Sequence, residues 1–253
     1  MIILKSRREL EKMRQAGRIV AGTLELLQQE VRPGITTADL DRLAEDYIRR
    51  QGAIPAFKGL YGYPATICTS VNDEVVHGIP GRRVLQAGDI ISIDVGVLWE
   101  GFYGDAAVTL PVGPITAELQ ELLQVAAGAL QAGIAQAQPG NRLSDISHAI
   151  QTYVESRGFS VVRDYVGHGI GRKMHEDPQI PNFGPPGQGP LLKPGMTLAL
   201  EPMVNMGTYQ VQVAGDRWTV RTADGRHSAH FEHTVAIRET GPEILTSLDT
   251  PQA

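Results

Sequence analysis

The chain repeats itself, and this internal duplication constrains its fold more than any other feature. The segment "RPGITTADL" (32–40) matches "QPGNRLSDI" (138–146) at an offset of 106 residues, and "AGDIISID" (87–94) matches "PGMTLALE" (194–201) at an offset of 107. "DAAVTL" (105–110) likewise resembles "EHTVAI" (232–237). A repeat of this length predicts two halves, each of which runs through two helices and then through strands.

Local signals predict the four helices of the two halves. A capping box begins the first helix and a Pro-Gly pair ends it, and each later helix combines a capping residue with an apolar stripe at helical spacing. The residues predicted to open the four helices are, in chain order, Ser6, Thr36 or Thr37, Thr116 and Ser144.

Two apolar strands in the first half, "ISIDVGVLWEGFYGDAAVTL" (91–110), each carry an aspartate. If Trp99-Glu100 forms the turn between them, Asp94 lies directly opposite Asp105; if Glu100-Gly101 forms it, the two are diagonal neighbours on one face. Directly opposed residues have Cβ atoms roughly 5 Å apart, and like charges at that distance repel. A cation between the two carboxylates would remove the conflict.

The second half places Glu201 and Glu232 at the matching positions, with about 20 additional residues between them. Pseudo-symmetric halves would therefore bring four carboxylates to one centre. Because no Lys or Arg lies near them in sequence, we expect bound cations. Oxygen ligands suit Mg, Mn, Ca or ferrous iron, and an added imidazole admits Co and Zn. The spaced acids and central glycine of an EF-hand loop are absent from the sequence.

Three histidines occur in contexts that favour a functional role. In "YVGHGIGRKMHEDP" (165–178) His168 lies between two glycines and His175 follows seven residues later, and "VVHGIP" (75–80) repeats the His-Gly-Ile fragment around His77. We interpret His148, on the polar side of the fourth helix, and His227, in a turn-rich stretch, as structural residues.

These residues together resemble the type I class of methionine aminopeptidases, within the creatinase/aminopeptidase superfamily. The resemblance extends from about Ile3 to Thr246. It implies an α+β, pita-bread fold: two pseudo-symmetric αβ halves (about 1–112 and 113–253) with an antiparallel sheet and helices on one side, in a single catalytic metallopeptidase domain of residues 1–253. The motifs that carry it are "NDEVVHGIP", "SIDVGV", "GFYGDAAVT", "GHGIG", "MHEDP", "LALEPMVN" and "FEHTVAI".

The resemblance also implies a site with two divalent metal ions, which could be Co, Mn, Fe or Zn. Asp94 would chelate one ion, His168 and Glu201 would bind the other, and Asp105 and Glu232 would bridge both. All five positions carry the expected residue types.

The implied activity is hydrolytic removal of the N-terminal methionine from nascent proteins and peptides with a small second residue. Two divalent ions lower the pKa of a water molecule and supply hydroxide near neutral pH. By resemblance, His175 hydrogen-bonds the carbonyl oxygen or the developing oxyanion, and His77 contacts the scissile amide nitrogen. Glu201 is the expected proton shuttle.

A methionine side chain requires an apolar pocket that can adapt to a thioether. The resemblance assigns Tyr63, Cys68 and Trp218 to this pocket, although aromatic and cysteine side chains also fill protein cores. Met174 is apolar and adaptable, so the preference for methionine should survive. Four positions near the pocket depart from familiar bacterial members and leave fine selectivity open: Val76, Met174, Phe57 and Leu60.

Three other classes of protein share this scaffold. Prolyl peptidases and creatine-hydrolysing relatives normally carry a large additional N-terminal domain, whereas this chain begins directly with the first helix. Type II methionine enzymes carry an insertion for which the path from Glu201 to Glu232 leaves no room. Non-catalytic binding modules on the same fold lose metal ligands that this chain retains.

Bulk properties narrow the partners. The net charge is −5 and no Lys/Arg run exceeds two residues, which argues against a nucleic-acid partner. One cysteine excludes an intrachain disulfide, and the sequence contains neither a signal peptide nor a membrane-spanning segment, which predicts a cytoplasmic protein. We expect a monomer that acts on the N-terminal peptide of nascent polypeptides, and a transient ribosome contact would suit that substrate.

Overall fold

A computed structural model describes residues 1–248 of the 253-residue chain, so the last five residues of the expected second half lie outside the described part. Within residues 1–248 the helices are α1 (Arg7–Glu30), α2 (Thr37–Arg50), α3 (Ala117–Gln136) and α4 (Leu143–Glu155). The strands are β1 (Ile54–Pro55), β2 (Cys68–Val71), β3 (Glu74–Val76), β4 (Ile90–Trp99), β5 (Phe102–Pro111), β6 (Ser160–Val161), β7 (Gly167–Gly169), β8 (Glu176–Ile180), β9 (Thr197–Leu200), β10 (Met203–Asn205), β11 (Val211–Val213), β12 (Val220–Thr222), β13 (Ser228–His230), β14 (Glu232–Arg238) and β15 (Gly241–Ile244).

The predicted helix starts are confirmed at α1, α2 and α3, where the side chains of Ser6, Thr36 and Thr116 cap the first turn. The prediction that Ser144 opens α4 is wrong, because the capping position lies two residues earlier. There the Asp145 carboxylate accepts the backbone N–H of the capping residue, while the Ser144 hydroxyl oxygen accepts the N–H of Gln188 at 2.7 Å.

The largest sheet has nine strands, and its main path runs β1-β4-β5-β14-β9-β7-β8 with antiparallel pairing throughout. The four central strands are the two copies of the repeated sequence pair. Strand β5 of the first copy pairs with β14 of the second, so equivalent strands meet in the middle of the sheet. This arrangement places the acidic positions of both halves on, or directly after, neighbouring strands.

The helices cover one face of the sheet and leave the acids on the other. Side chains alternate along a strand, and on β4 the residues Ile91, Ile93 and Val95 are buried against α1 and α2. A separate core joins α3 and α4 to β9 and β14. Each half thus has its own apolar core, and the helix-free face of the shared strands carries the polar side chains.

None of the helices within residues 1–248 is long and apolar enough to cross a membrane.

Candidate metal centre

The turn between β4 and β5 decides how the two aspartates meet. Glu100 and Gly101 have φ angles of 44° and 80°, and positive φ at both central residues is what a two-residue type I′ turn requires. Asp105 therefore pairs with Gly96, and Asp94 pairs with a residue two positions beyond Asp105. The two aspartates are diagonal neighbours on one face, which was the second of the two expected registers.

The acids of the second half approach from the neighbouring strands. Glu232 is the first residue of β14 and pairs with Ala107 of β5, which on its other side pairs with Asp94. Because an alanine separates them, the two longer carboxylate side chains face the same space without obstruction. Glu201 directly follows β9 on the other side of β14. The repeat thus delivers one pair of acids from each half to the same face.

His168 supplies a nitrogen to this group of acids. It lies in β7, is 8% exposed, and its Nδ1 is 2.9 Å from the carbonyl oxygen of Gly169. Since a carbonyl oxygen can only accept, Nδ1 carries the proton and Nε2 keeps its lone pair. That Nε2 lies 3.5 Å from Glu201 Oε1 and 3.9 Å from Asp105 Oδ2.

The arrangement of the donor atoms in this centre suits a bound metal ion better than it suits hydrogen bonds among the side chains. Ligand atoms of Asp105, His168 and Glu232 all lie within 4.8 Å of each other. Three buried carboxylate oxygens have no hydrogen-bond partner among the described residues: Oδ1 of Asp94, Oδ1 of Asp105 and Oε1 of Glu232. Buried carboxylates left unsatisfied are costly, and a divalent cation is the partner that would satisfy them.

The electrostatics of the centre favour a bound cation. Burial, the largest cause, raises the pKa of Asp94 to about 7. Burial and the negative charge of neighbouring acids also raise the pKa values of Asp105, Glu201 and Glu232. No Lys or Arg appears among the described residues that line the surrounding pocket. Burial lowers the pKa of His168 to about 4, so its imidazole is neutral and available as a ligand at pH 7.

The centre opens into a pocket of about 560 Å³, and all ten predicted site residues line it. The ring centroid of His175 lies 4.5 Å from that of His168. His77 has a positive φ of 59° and its ring packs edge-on against Tyr165, with 5.6 Å between centroids. Burial lowers the pKa of His77 to about 4 and also lowers the pKa of His175, so both rings are neutral at pH 7.

One wall of the pocket is formed by the residues expected to receive methionine. The ring of Tyr63 packs edge-on against Trp218 with 5.1 Å between centroids, and its hydroxyl contacts the carbonyl oxygen of Gly78 at 2.9 Å. Cys68 pairs with Asp94 across β2 and β4. Burial raises the pKa of the Cys68 thiol, which keeps it neutral and apolar in character.

Three of the four departing positions line the pocket directly, namely Phe57, Leu60 and Val76. Met174 is buried in the apolar cluster behind the wall, where it packs with Phe57. The four departing residues therefore change both the side chains that line the pocket and the apolar packing behind its wall.

Sequence reasoning missed three residues of this site. Tyr165 packs on His77, Tyr61 stacks on His175 with centroids 5.9 Å apart, and His230 Nε2 lies 4.0 Å from Glu201 Oε2. His230 could have been identified, because it precedes Glu232 by two positions. Tyr61 and Tyr165 have no comparable local signal. His148 and His227 are not among the described residues that line the pocket.

Comparisons with known proteins agree with this geometry. The model of metallopeptidase family M24 matches residues 11–239. Methionine aminopeptidase 1 of Bacillus subtilis is 60% identical over 97% of this chain and 99% of its own, and methionine aminopeptidase of Clostridium perfringens is 59% identical over the same shares. The crystal structure of methionine aminopeptidase from Thermotoga maritima superposes with a TM-score of 0.96 at 50% identity, covering 98% of this chain and 100% of that one. The expected pita-bread fold class is confirmed.

Proposed function

This chain belongs to metallopeptidase family M24, and we propose that it removes the N-terminal methionine of peptides and nascent proteins at a centre of two divalent metal ions. Methionine aminopeptidase activity follows from relatives 59–60% identical over nearly the whole length of both chains. The single observation that supports the metal centre most strongly is the set of unpaired buried carboxylate oxygens beside the free Nε2 of His168.

The proposed ligands are the five residues that converge on the helix-free face of the sheet. Asp94 would hold one ion, His168 and Glu201 would hold the other, and Asp105 and Glu232 would contribute to both. A donor set of four carboxylates and one imidazole suits Co, Mn, Fe or Zn. When bound, such ions lower the pKa of water and polarise the scissile carbonyl group.

The residues around the centre would then bind and orient the substrate. His175 and His77 are neutral because burial lowers their pKa values, so each ring has one N–H that can donate and one nitrogen that can accept. We assign His175 to the carbonyl oxygen of the first peptide bond and its developing negative charge, and His77 to the scissile nitrogen. A donor to an oxyanion contributes about 10²–10³-fold to the rate. Glu201 moves a proton through its carboxylate oxygens to the leaving amine.

Methionine selection is assigned to Tyr63, Cys68 and Trp218. The edge-on aromatic pair and the neutral thiol form an apolar wall that suits a polarizable thioether and penalises charged side chains. A small second residue of the substrate is part of the same proposal.

The wider organisation extends the proposal. We infer that residues 1–253 act as one catalytic domain with halves of about 1–112 and 113–253, as a cytoplasmic monomer. Separate apolar cores in the two halves support this division, and a net charge of −5 argues against nucleic acid as a partner. A transient ribosome contact remains a proposal that the substrate class suggests.

One experiment tests the function and its metal dependence together. The chelated protein is titrated with Mn or Co by calorimetry, and the loaded protein is then incubated with a Met-Ala-Ser peptide and with an Ala-Pro-Ser peptide. We expect release of free methionine and two ions bound per chain. Cleavage only before proline would support an Xaa-Pro aminopeptidase instead, and tight metal uptake without turnover would support a non-catalytic binding module. Uptake of a single ion would overturn only the two-ion assignment.

A further inference from the structure

The segment that precedes α1 is bound against the loop that carries His175. Lys5 is the centre of this contact, since its Nζ lies 2.6 Å from Glu176 Oε2 and 3.2 Å from the carbonyl oxygen of Ile3. The side chains of Lys5 and Glu176 are only 4% and 8% exposed, and the Lys5 backbone N–H donates to the carbonyl oxygen of Gly195 at 2.7 Å. A buried ion pair therefore lies one residue away from His175, and its cation comes from the N-terminal segment, 171 positions earlier in the chain.

The other oxygen of Glu176 closes the His175 loop. Glu176 Oε1 accepts the backbone N–H groups of Arg172 at 2.8 Å and Lys173 at 3.2 Å. A Cβ placed on Gly171 would lie 2.4 Å from Lys5 Cε and 2.8 Å from Glu176 Oε1, so the backbone wraps closely around the ion pair. The carboxylate thus bonds the start of the loop to its end.

The same segment contacts the loop on the far side of His175. The N-terminal ammonium group of Met1 bonds to the carboxylate of Asp177, at an exposed position. The exposed contact contributes little, as surface ion pairs do, whereas the buried one is consequential. Breaking a buried pair from one side leaves an uncompensated charge and is strongly destabilising for the local structure.

We propose that Lys5 is a positioning residue for His175, acting through Glu176; this inference rests on the proposed role of His175 at the substrate carbonyl. Lys5 is not among the described residues that line the pocket, whereas its partner Glu176 is. Without its ammonium group the Glu176 carboxylate would be buried without a counter-charge and would turn towards water, which releases the two N–H groups that it accepts. The His175 ring would then lose its place 4.5 Å from the ring of His168.

The test compares Lys5→Met with Lys5→Arg, and uses Lys12→Met as the matched control. Lys12 lies on α1, where it pairs with Glu100 at the surface. For Lys5→Met we expect kcat to fall by about 10–100-fold, since a displacement of about 1 Å of an orienting group can cost 10²-fold. KM for the peptide and the affinity for Mn by calorimetry should stay within about twofold. Lys5→Arg should recover most of kcat, and Lys12→Met should match the unmodified chain.

A double-mutant cycle with His175→Ala separates positioning from general damage. If Lys5 acts through His175, then Lys5→Met causes no further loss of kcat beyond about twofold once His175 is alanine. Losses that multiply would overturn the proposal, as would an unchanged kcat in Lys5→Met. An unchanged kcat in His175→Ala alone would instead overturn the role proposed for His175. Should Lys5→Met not fold, Glu176→Gln breaks the pair from the other side, keeps an oxygen for the two N–H groups, and is put through the same cycle with the same criteria.

Discussion

Replacement of Asp105 by asparagine should abolish turnover and yet make the metal-free protein more stable. The backbone at this position does not depend on the carboxylate: its N–H donates to Thr234 Oγ1 at 3.1 Å, and the Thr234 hydroxyl donates to the Asp105 carbonyl oxygen at 2.8 Å. The side-chain Oδ1 has no hydrogen-bond partner among the described residues. Asparagine has nearly the same volume, so the fold should be retained.

The gain in stability follows from the negative charges of the carboxylates that surround Asp105. Burial and the neighbouring charges of Glu232 and Asp94 raise its pKa. For Asp94, a pKa raised from 3.8 to about 7 corresponds to about 4 kcal/mol at about 1.4 kcal/mol per unit. Because the negative charge of Asp94 contributes to the raised pKa of Asp105, we expect the removal of one charge to stabilise the metal-free protein by about 1–3 kcal/mol. At about 2–4 °C per kcal/mol for a chain of this size, the unfolding midpoint should rise by several degrees.

The gain should depend on pH in a defined direction. A carboxyl group whose pKa is raised on folding does not destabilise the protein below about pH 4, where both folded and unfolded states hold the proton. Stability is lost as the pH rises from about 4 towards the raised pKa of the folded state, because the unfolded chain ionises first. The advantage of Asp105→Asn should therefore be present at pH 8 and nearly absent at pH 4.

Thermal unfolding with a chelator and with Mn provides the assay, together with methionine release from a Met-Ala-Ser peptide. Mn at 100 times its Kd stabilises the unmodified chain by about 2.7 kcal/mol, so the order of stability should invert when the metal is added. Turnover should fall at least 100-fold, since residues that merely orient metal ligands already contribute about 10–100-fold. Asp46→Asn, at an exposed position on α2, is the control. Near-normal turnover would refute the metal centre, and an unchanged midpoint at pH 8 without metal would refute the electrostatic reasoning.

Three further predictions concern packing and metal content. Gly17→Ala should lower the free energy of unfolding by more than about 2 kcal/mol in chemical denaturation, since its Cβ would lie 2.1 Å from the backbone oxygen of Leu245. Gly96→Ala places a Cβ 2.5 Å from Phe57 Cε1 and 2.8 Å from Met174 Cε. We expect KM for methionyl peptides to rise severalfold and the free energy of unfolding to fall by about 1–3 kcal/mol. An unchanged KM would show that this wall of the pocket does not contact the substrate. Removal of divalent ions by a chelator should abolish turnover and lower the unfolding midpoint, and added Mn should restore both; turnover that survives chelation would contradict the metal requirement.

The two aspartates show what a local sequence pattern can predict and what it cannot. Alternation along a strand placed Asp94 and Asp105 on one face for any even turn, and that expectation is confirmed. Which of the two registers occurs depended on which residue pair forms the turn, Trp99-Glu100 or Glu100-Gly101, and the alternation pattern allows both. The start of α4 shows the same limit. Ser144 is a good capping residue, but its hydroxyl oxygen accepts the N–H of Gln188, and the capping position is Arg142.

The repeat, three of the four helix starts, the shared face of the paired acids and the identity of the ligand-type side chains can all be predicted from the amino-acid sequence. These properties depend on periodicity and capping, which act over a few residues. Two contacts could not be predicted in this way: His230 lies beside Glu201, and Lys5 pairs with Glu176 across 171 positions. The Lys5–Glu176 contact joins the two halves, and the His230–Glu201 contact joins two segments of the second half. Both depend on packing that sums many weak interactions, which no local pattern records.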